Sequence, residues 1–123
     1  MYNLPTEKRI NRIIDNHKLL LTLDNRGDMH RLTYPKAHNY RLFDAHNDTY
    51  GRTVPYKGHA GSVYIVARKN SLEICVTGYY STYAPEITKL LGPAKGSRQS
   101  AYDAPYWDFQ PVQLRKLLLI LGK

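Results

Sequence analysis

Between Arg26 and His59 flat rings alternate with cations. Tyr34, Tyr40, Tyr50 and Tyr56 are interleaved with Arg31, Lys36, Arg41, Arg52 and Lys57, and His30, His38, His46 and His59 share the stretch. Guanidinium and ammonium groups meet phosphate oxygens through charge-assisted hydrogen bonds, and tyrosine rings stack on a base whatever its identity. The mixture is the chemistry needed to hold a polyanion that carries stackable bases. Arg31, Lys36, Arg41, Arg52 and Lys57 are the candidate phosphate contacts; Tyr40, Tyr50 and Tyr56 are the candidate stacking platforms. Lys95 and Arg98, in Gly92-Pro-Ala-Lys-Gly-Ser-Arg98, add a second basic loop able to touch a phosphate. That loop lacks the spacing of a nucleotide-hydrolysing phosphate cradle, and no helix follows it directly to lend its dipole.

The same window holds groups for acid–base chemistry. Cleavage of RNA without a metal needs a base for the 2′-hydroxyl, an acid for the leaving oxygen and a cation for the developing phosphorane charge. His46, His59 and Lys57 are the candidates, with Arg41 and Arg52 as charge stabilisers. A metal-independent, toxin-like ribonuclease is therefore the alternative reading, set against a non-enzymatic binder. His38 and His46 lie eight residues apart near Asp44 and Asp48, without the i, i+4 spacing of a zinc-binding helix, so no metal site or cofactor is expected. Ser81, in Gly78-Tyr-Tyr-Ser81, is not in a nucleophile elbow. Cys75 is the sole cysteine. An intramolecular disulfide is thereby excluded, and its place in Leu72-Glu-Ile-Cys-Val76 reads as a buried thiol.

The wider composition bounds the partner. Eighteen Lys and Arg against ten Asp and Glu give a net charge of +8 over 123 residues, while 42% hydrophobic residues are enough for one core. The expectation is a single domain over 1–123. The N-terminus has no apolar stretch of signal-peptide length and the longest apolar run, Leu117 to Leu121, is far too short to span a membrane. A cytoplasmic location without membrane contact follows as the expectation. No short motif assigns the chain to a family.

These residues must be positioned by a small set of elements. Ile10, Ile13, Ile14 and His17 recur at i, i+3, i+4 and i+7, predicting a helix over 6–18 with Pro5 and Thr6 at its start. Its other face, Lys8, Arg9, Arg12 and Asp15, reads as solvated. Leu19–Leu23 and Met29–Tyr34 flank the turn cluster Asp24–Asp28 as a first hairpin. Ser62–Ala67 and Leu72–Thr77 form a second across Arg68–Ser71, on β-branched enrichment and a short connection. Pro85–Leu91 is a short helix stopped by Gly92. The last helix is expected from Phe109 to Leu121, capped by Asp108. Apolar nearly all round, it belongs in the core or at an interface between copies. Residues 35–61 and 92–106 keep no period and are read as long irregular segments.

The expected architecture is thus α+β: an N-terminal helix, an antiparallel sheet of about four strands in two hairpins, and a hydrophobic C-terminal helix on the sheet or at an oligomer interface. The leading function is a small basic, non-enzymatic binder of nucleic acid or of a nucleotide-like polyanion, a class that includes inhibitors carried by viruses and mobile elements. A third reading is a protein-interaction module that uses Tyr106, Trp107 and Phe109 with the last helix and acts as a homo-oligomer.

Overall fold

A computed structural model describes residues 6–17, 21–23, 26, 29–32, 40–44, 54–55, 63–67, 71–76, 82–97 and 104–122. Helix α1 spans Glu7–Asn16. Thr6 caps it by accepting a hydrogen bond from the Arg9 backbone N–H at 3.3 Å, and Glu7 sits at the positive end of the helix dipole. The predicted stripe is the buried one, with Ile10, Ile13, Ile14 and His17 all turned inward. The fully buried His17 ring bonds locally through one nitrogen: Nδ1 lies 2.7 Å from the Ile13 carbonyl oxygen. A carbonyl only accepts, so Nδ1 carries the proton in that bond.

The antiparallel sheet is larger than the two expected hairpins. β1 (Leu21–Leu23) and β2 (Met29–Leu32) form the first hairpin as a separate two-stranded sheet, with a bulge between Thr22 and Leu23. β3 (Tyr40–Asp44), β4 (Val54–Pro55), β5 (Val63–Ala67), β6 (Leu72–Val76), β7 (Gly96–Ser97) and β8 (Pro105–Phe109) build a six-stranded sheet in the order β4-β3-β5-β6-β8-β7. The β5–β6 hairpin at its centre matches the sequence reading, pairing Val63 with Val76 through Ala67 with Leu72.

Both segments read as irregular contribute strands. From 35–61 come β3 and β4. Its alternation is hidden because the ladder to β5 shifts register between Arg41 and Phe43, and Leu42 and Phe43 are both fully buried. A bulge of this kind breaks the two-residue period on which strand patterns are recognised. From 92–106 come β7 and the start of β8. β8 pairs with β6 from Leu72↔Phe109 to Cys75↔Tyr106, so Asp108 and Phe109 lie in a strand and do not start the last helix.

That helix begins later. Pro111 has no N–H to continue a ladder, and Gln110 and Gln113 cap each other reciprocally across the 3₁₀ turn Pro111–Gln113, the Gln110 N–H donating to Gln113 Oε1 at 2.9 Å. Helix α3 then runs Leu114–Leu121. Helix α2, Ala84–Leu91, has Pro85 in its first turn and ends at Gly92 as the sequence predicted.

One core joins the helices to one face of the large sheet. Ile10, Ile13, Ile87, Leu114, Leu117, Leu118 and Leu121 share a buried cluster with Leu42, Phe43, Ile65, Ile74, Trp107 and Phe109. Each such side chain removed from water contributes about 1.5–3 kcal/mol before entropy is counted. The opposite face holds a smaller cluster of Tyr64, Val66, Cys75 and Ala104, with Tyr106 against it. No helix among the described residues is long and apolar enough to cross a membrane.

Candidate nucleic-acid interface

β3 is the element that ties the basic, tyrosine-bearing window to the fold. Its apolar pair, Leu42 and Phe43, is fully buried, and this fixes the backbone of the two candidate residues just before it. Tyr40 lies opposite Pro55 on one side and Ala67 on the other; Arg41 lies opposite Val54 and Val66. The antiparallel ladders on both sides satisfy the strand's backbone groups, so Tyr40 and Arg41 are held by long-range pairing. Arg31 stands apart, opposite Thr22 in the small β1–β2 sheet. Lys36, His46, Tyr50, Arg52, Tyr56, Lys57, His59 and Arg98 lie outside the described residues.

Lys95 takes a different place from the one its loop implied. It immediately precedes β7, at the far edge of the sheet from β3, and its backbone N–H donates to the Tyr106 carbonyl at 2.8 Å. Its ammonium donates to the Asp108 carboxylate in an ion pair. That hydrogen bond, and then the Asp108 charge, raise the Lys95 pKa above its ordinary 10.5. The lysine side chain stays largely exposed beside its partner. Four inter-strand steps separate β3 from β7 in the sheet order. At ~4.8 Å per step Arg41 and Lys95 stand about 19 Å apart across the sheet, so they do not form one pocket.

Ladder register shows what lies between them on the face away from the helices. One row runs Asp44, Tyr64, Cys75, Tyr106; the next runs Val66, Glu73, Asp108. Asp44 and Glu73 are both fully buried. Asp44 drew notice only as a neighbour of His38 and His46, and Glu73 not at all, although the lone acid within Leu72-Glu-Ile-Cys-Val76 was the available signal. Two strand steps and one row place their backbones about 12 Å apart. Cys75, also fully buried, points its thiol at the Ala104 carbonyl, 3.6 Å away, as expected of a structural cysteine. No group of three His, Cys, Asp or Glu able to hold a metal ion occurs among the described residues.

No family model matches the chain. No curated protein and no solved structure matches it either. The functional reading therefore rests on the residues themselves.

Of the aromatic patch 102–109, the described residues Trp107 and Phe109 have a structural role, and Tyr102 lies outside the described residues. Trp107 is 2% exposed and its indole N–H donates to the Gly92 carbonyl at 3.0 Å; Phe109 is 5% exposed and belongs to the main core. Neither ring is free to bind a partner. Alternation along β8 explains this: Trp107 and Phe109 turn to the helix side while Tyr106 and Asp108 take the other face. Tyr106 is half-buried beside β7, where a Cβ on Gly96 would lie 3.1 Å from its ring, a tight approach to which the ring would have to give by a few tenths of an ångström.

Arg9 is a second residue whose place differs from the sequence reading. It is 9% exposed and lies over the Phe43 ring, whereas Lys8, Arg12 and Asp15 are exposed as expected. A guanidinium is weakly hydrated and planar, which makes it the cation best suited to cover an aromatic face.

Proposed function

We propose that the protein is a non-enzymatic binder of nucleic acid or of a nucleotide-like polyanion, acting through the basic, tyrosine-bearing window anchored on β3. The observation that carries this reading is the fixed position of Tyr40 and Arg41 beside the buried Leu42–Phe43 pair. A segment whose backbone is tied into a paired strand loses less entropy on binding than the same segment on a free loop. The net charge of +8 supplies the long-range attraction that steers a polyanion toward such a surface. In this reading Arg31, Lys36, Arg41, Arg52 and Lys57 meet phosphates, and Tyr40, Tyr50 and Tyr56 stack on bases. Lys95, exposed but ion-paired with Asp108, is a candidate contact that must give up a partner to meet a phosphate.

The test is fluorescence anisotropy with labelled single-stranded RNA, single-stranded DNA, duplex DNA and a nucleoside triphosphate over a salt series. A nucleic-acid binder loses affinity with a log–log slope of roughly 0.7 per phosphate neutralised on single strands and 0.9 on duplexes. Arg41→Ala and Lys57→Ala each lower that slope by roughly one contact, and Tyr50→Ala and Tyr56→Ala cost about 1–3 kcal/mol per lost stack. A flat salt response for every ligand sinks the reading. Recovery of the RNA shortened after incubation in EDTA would instead favour the ribonuclease built on His46, His59 and Lys57.

A further inference from the structure

The first turn of α1, the end of α2 and the outer side of α3 enclose an open hollow of about 550 Å³. Ile10, Leu90, Leu119 and Ile120 line it, with Glu7 and Lys116 as its charged residues. Beside the hollow, the solvent stripe of α3 and its leading turn carries Val112 and Leu119, which are 44% and 46% exposed and are the large hydrophobic side chains left in solvent among the described residues. They are seven residues apart, two helical turns, and so lie on one side. An amphipathic helix places polar groups there. Leu119, an aliphatic side chain on the solvent side at the rim of an aliphatic hollow, extends the apolar lining of that hollow outward.

We propose that this patch is the interface of a twofold homodimer. In a twofold contact each residue meets its counterpart reciprocally, so the surface must be complementary to itself. This patch is. It pairs a ridge at Leu119 with a hollow floored by Ile10, Leu90 and Ile120. It also carries one carboxylate, Glu7, and one ammonium, Lys116, both exposed and neither in an ion pair among the described residues. A two-fold rotation brings Glu7 of each copy to Lys116 of the other, while the leucine ridges enter the facing hollows. At physiological salt the screening length of about 8 Å confines the repulsion between two chains of +8 charge, so the apolar contact and the crossed pairs decide the outcome. The inference stands independently of polyanion binding.

Sedimentation equilibrium of nucleic-acid-free protein, from micromolar to sub-millimolar concentration, tests it. Wild type sediments as a concentration-dependent dimer. Leu119→Asp weakens dimerisation by about tenfold or more, because a charge enters an apolar contact, with an unchanged circular dichroism spectrum because the side chain is half in solvent. Glu7→Lys and Lys116→Glu each weaken it by setting like charges against each other, and the double variant Glu7→Lys/Lys116→Glu restores it. A monomer at every concentration overturns the proposal. So does a dimer indifferent to Leu119→Asp, or a double variant as weak as the single ones.

Discussion

The guanidinium carbon of Arg9 lies 5.3 Å from the centroid of the Phe43 ring. The contact joins the first helix to β3, the strand that holds Tyr40 and Arg41. Both partners are withdrawn from water, Arg9 to 9% exposure and Phe43 completely. A desolvated cation over an aromatic face is worth more than the same pair at the surface. A double-mutant cycle with Arg9→Met and Phe43→Leu therefore returns a favourable coupling of about 0.5–2 kcal/mol, read from urea unfolding of the four proteins. Simple additivity would mean that Arg9 is placed there by its aliphatic stem alone.

Leu42 separates a core strand from a surface excursion. It is fully buried in the main cluster, so Leu42→Ala costs about 2–5 kcal/mol, through lost transfer energy and the cavity left behind. A residue on a solvated loop changes stability by only about 0.5 kcal/mol. The urea midpoint, with an unchanged slope, distinguishes the two.

Gly92 closes α2 at φ 90° and ψ −168°, a backbone region that glycine alone enters without strain. Its N–H donates to the Thr88 carbonyl at 2.7 Å, and its own carbonyl accepts from Trp107 at 3.0 Å. An added Cβ meets no atom within 4 Å, so the effect of Gly92→Ala is conformational and not steric. The variant loses about 1–3 kcal/mol. Trp107, the sole tryptophan, reports the unfolding by its own fluorescence.

Lys95 sets the alkaline edge of one contribution to stability. Its hydrogen bond to Asp108, together with the Asp108 charge, raises the folded-state pKa above 10.5. Raised folded pKa means stabilisation that is fully present below 10.5 and lost as pH climbs through the folded value. The difference in melting temperature between wild type and Lys95→Met thus holds steady from neutral pH up to 10.5 and shrinks beyond it. Because the lysine is solvent-exposed the difference is small, and added salt reduces it at every pH. A gap that widened above that pH would rule out the pair as its source.

Where side-chain periodicity is local, the chain announces its own structure. The Ile10–Ile13–Ile14–His17 stripe, the β5–β6 hairpin and the proline-to-glycine span of α2 were all legible, because neighbours in sequence satisfy each other's hydrogen bonds and share a buried face. Strands without that regularity were not. β3 hides its period behind a bulge between Arg41 and Phe43, and β8 finds its partner in β6, whose Leu72 pairs with Phe109 far along the chain. The clustering of tyrosines and cations was likewise plain in the sequence, but not where they stand in the fold: the backbone of Tyr40 and Arg41 lies near one edge of the sheet and Lys95 at the other.

The amino-acid sequence by itself determined a basic, α+β chain with one cysteine, two punctuated helices and a central hairpin, since composition and short-range pattern suffice for each. Only the tertiary structure decided that Trp107 and Phe109 are core, that Arg9 covers Phe43, that Asp44 and Glu73 are buried, and that Lys95 pairs with Asp108. Each of those outcomes depends on which strands and helices become neighbours, and the free energy of a buried ring or charge belongs to that neighbourhood and not to the residue alone.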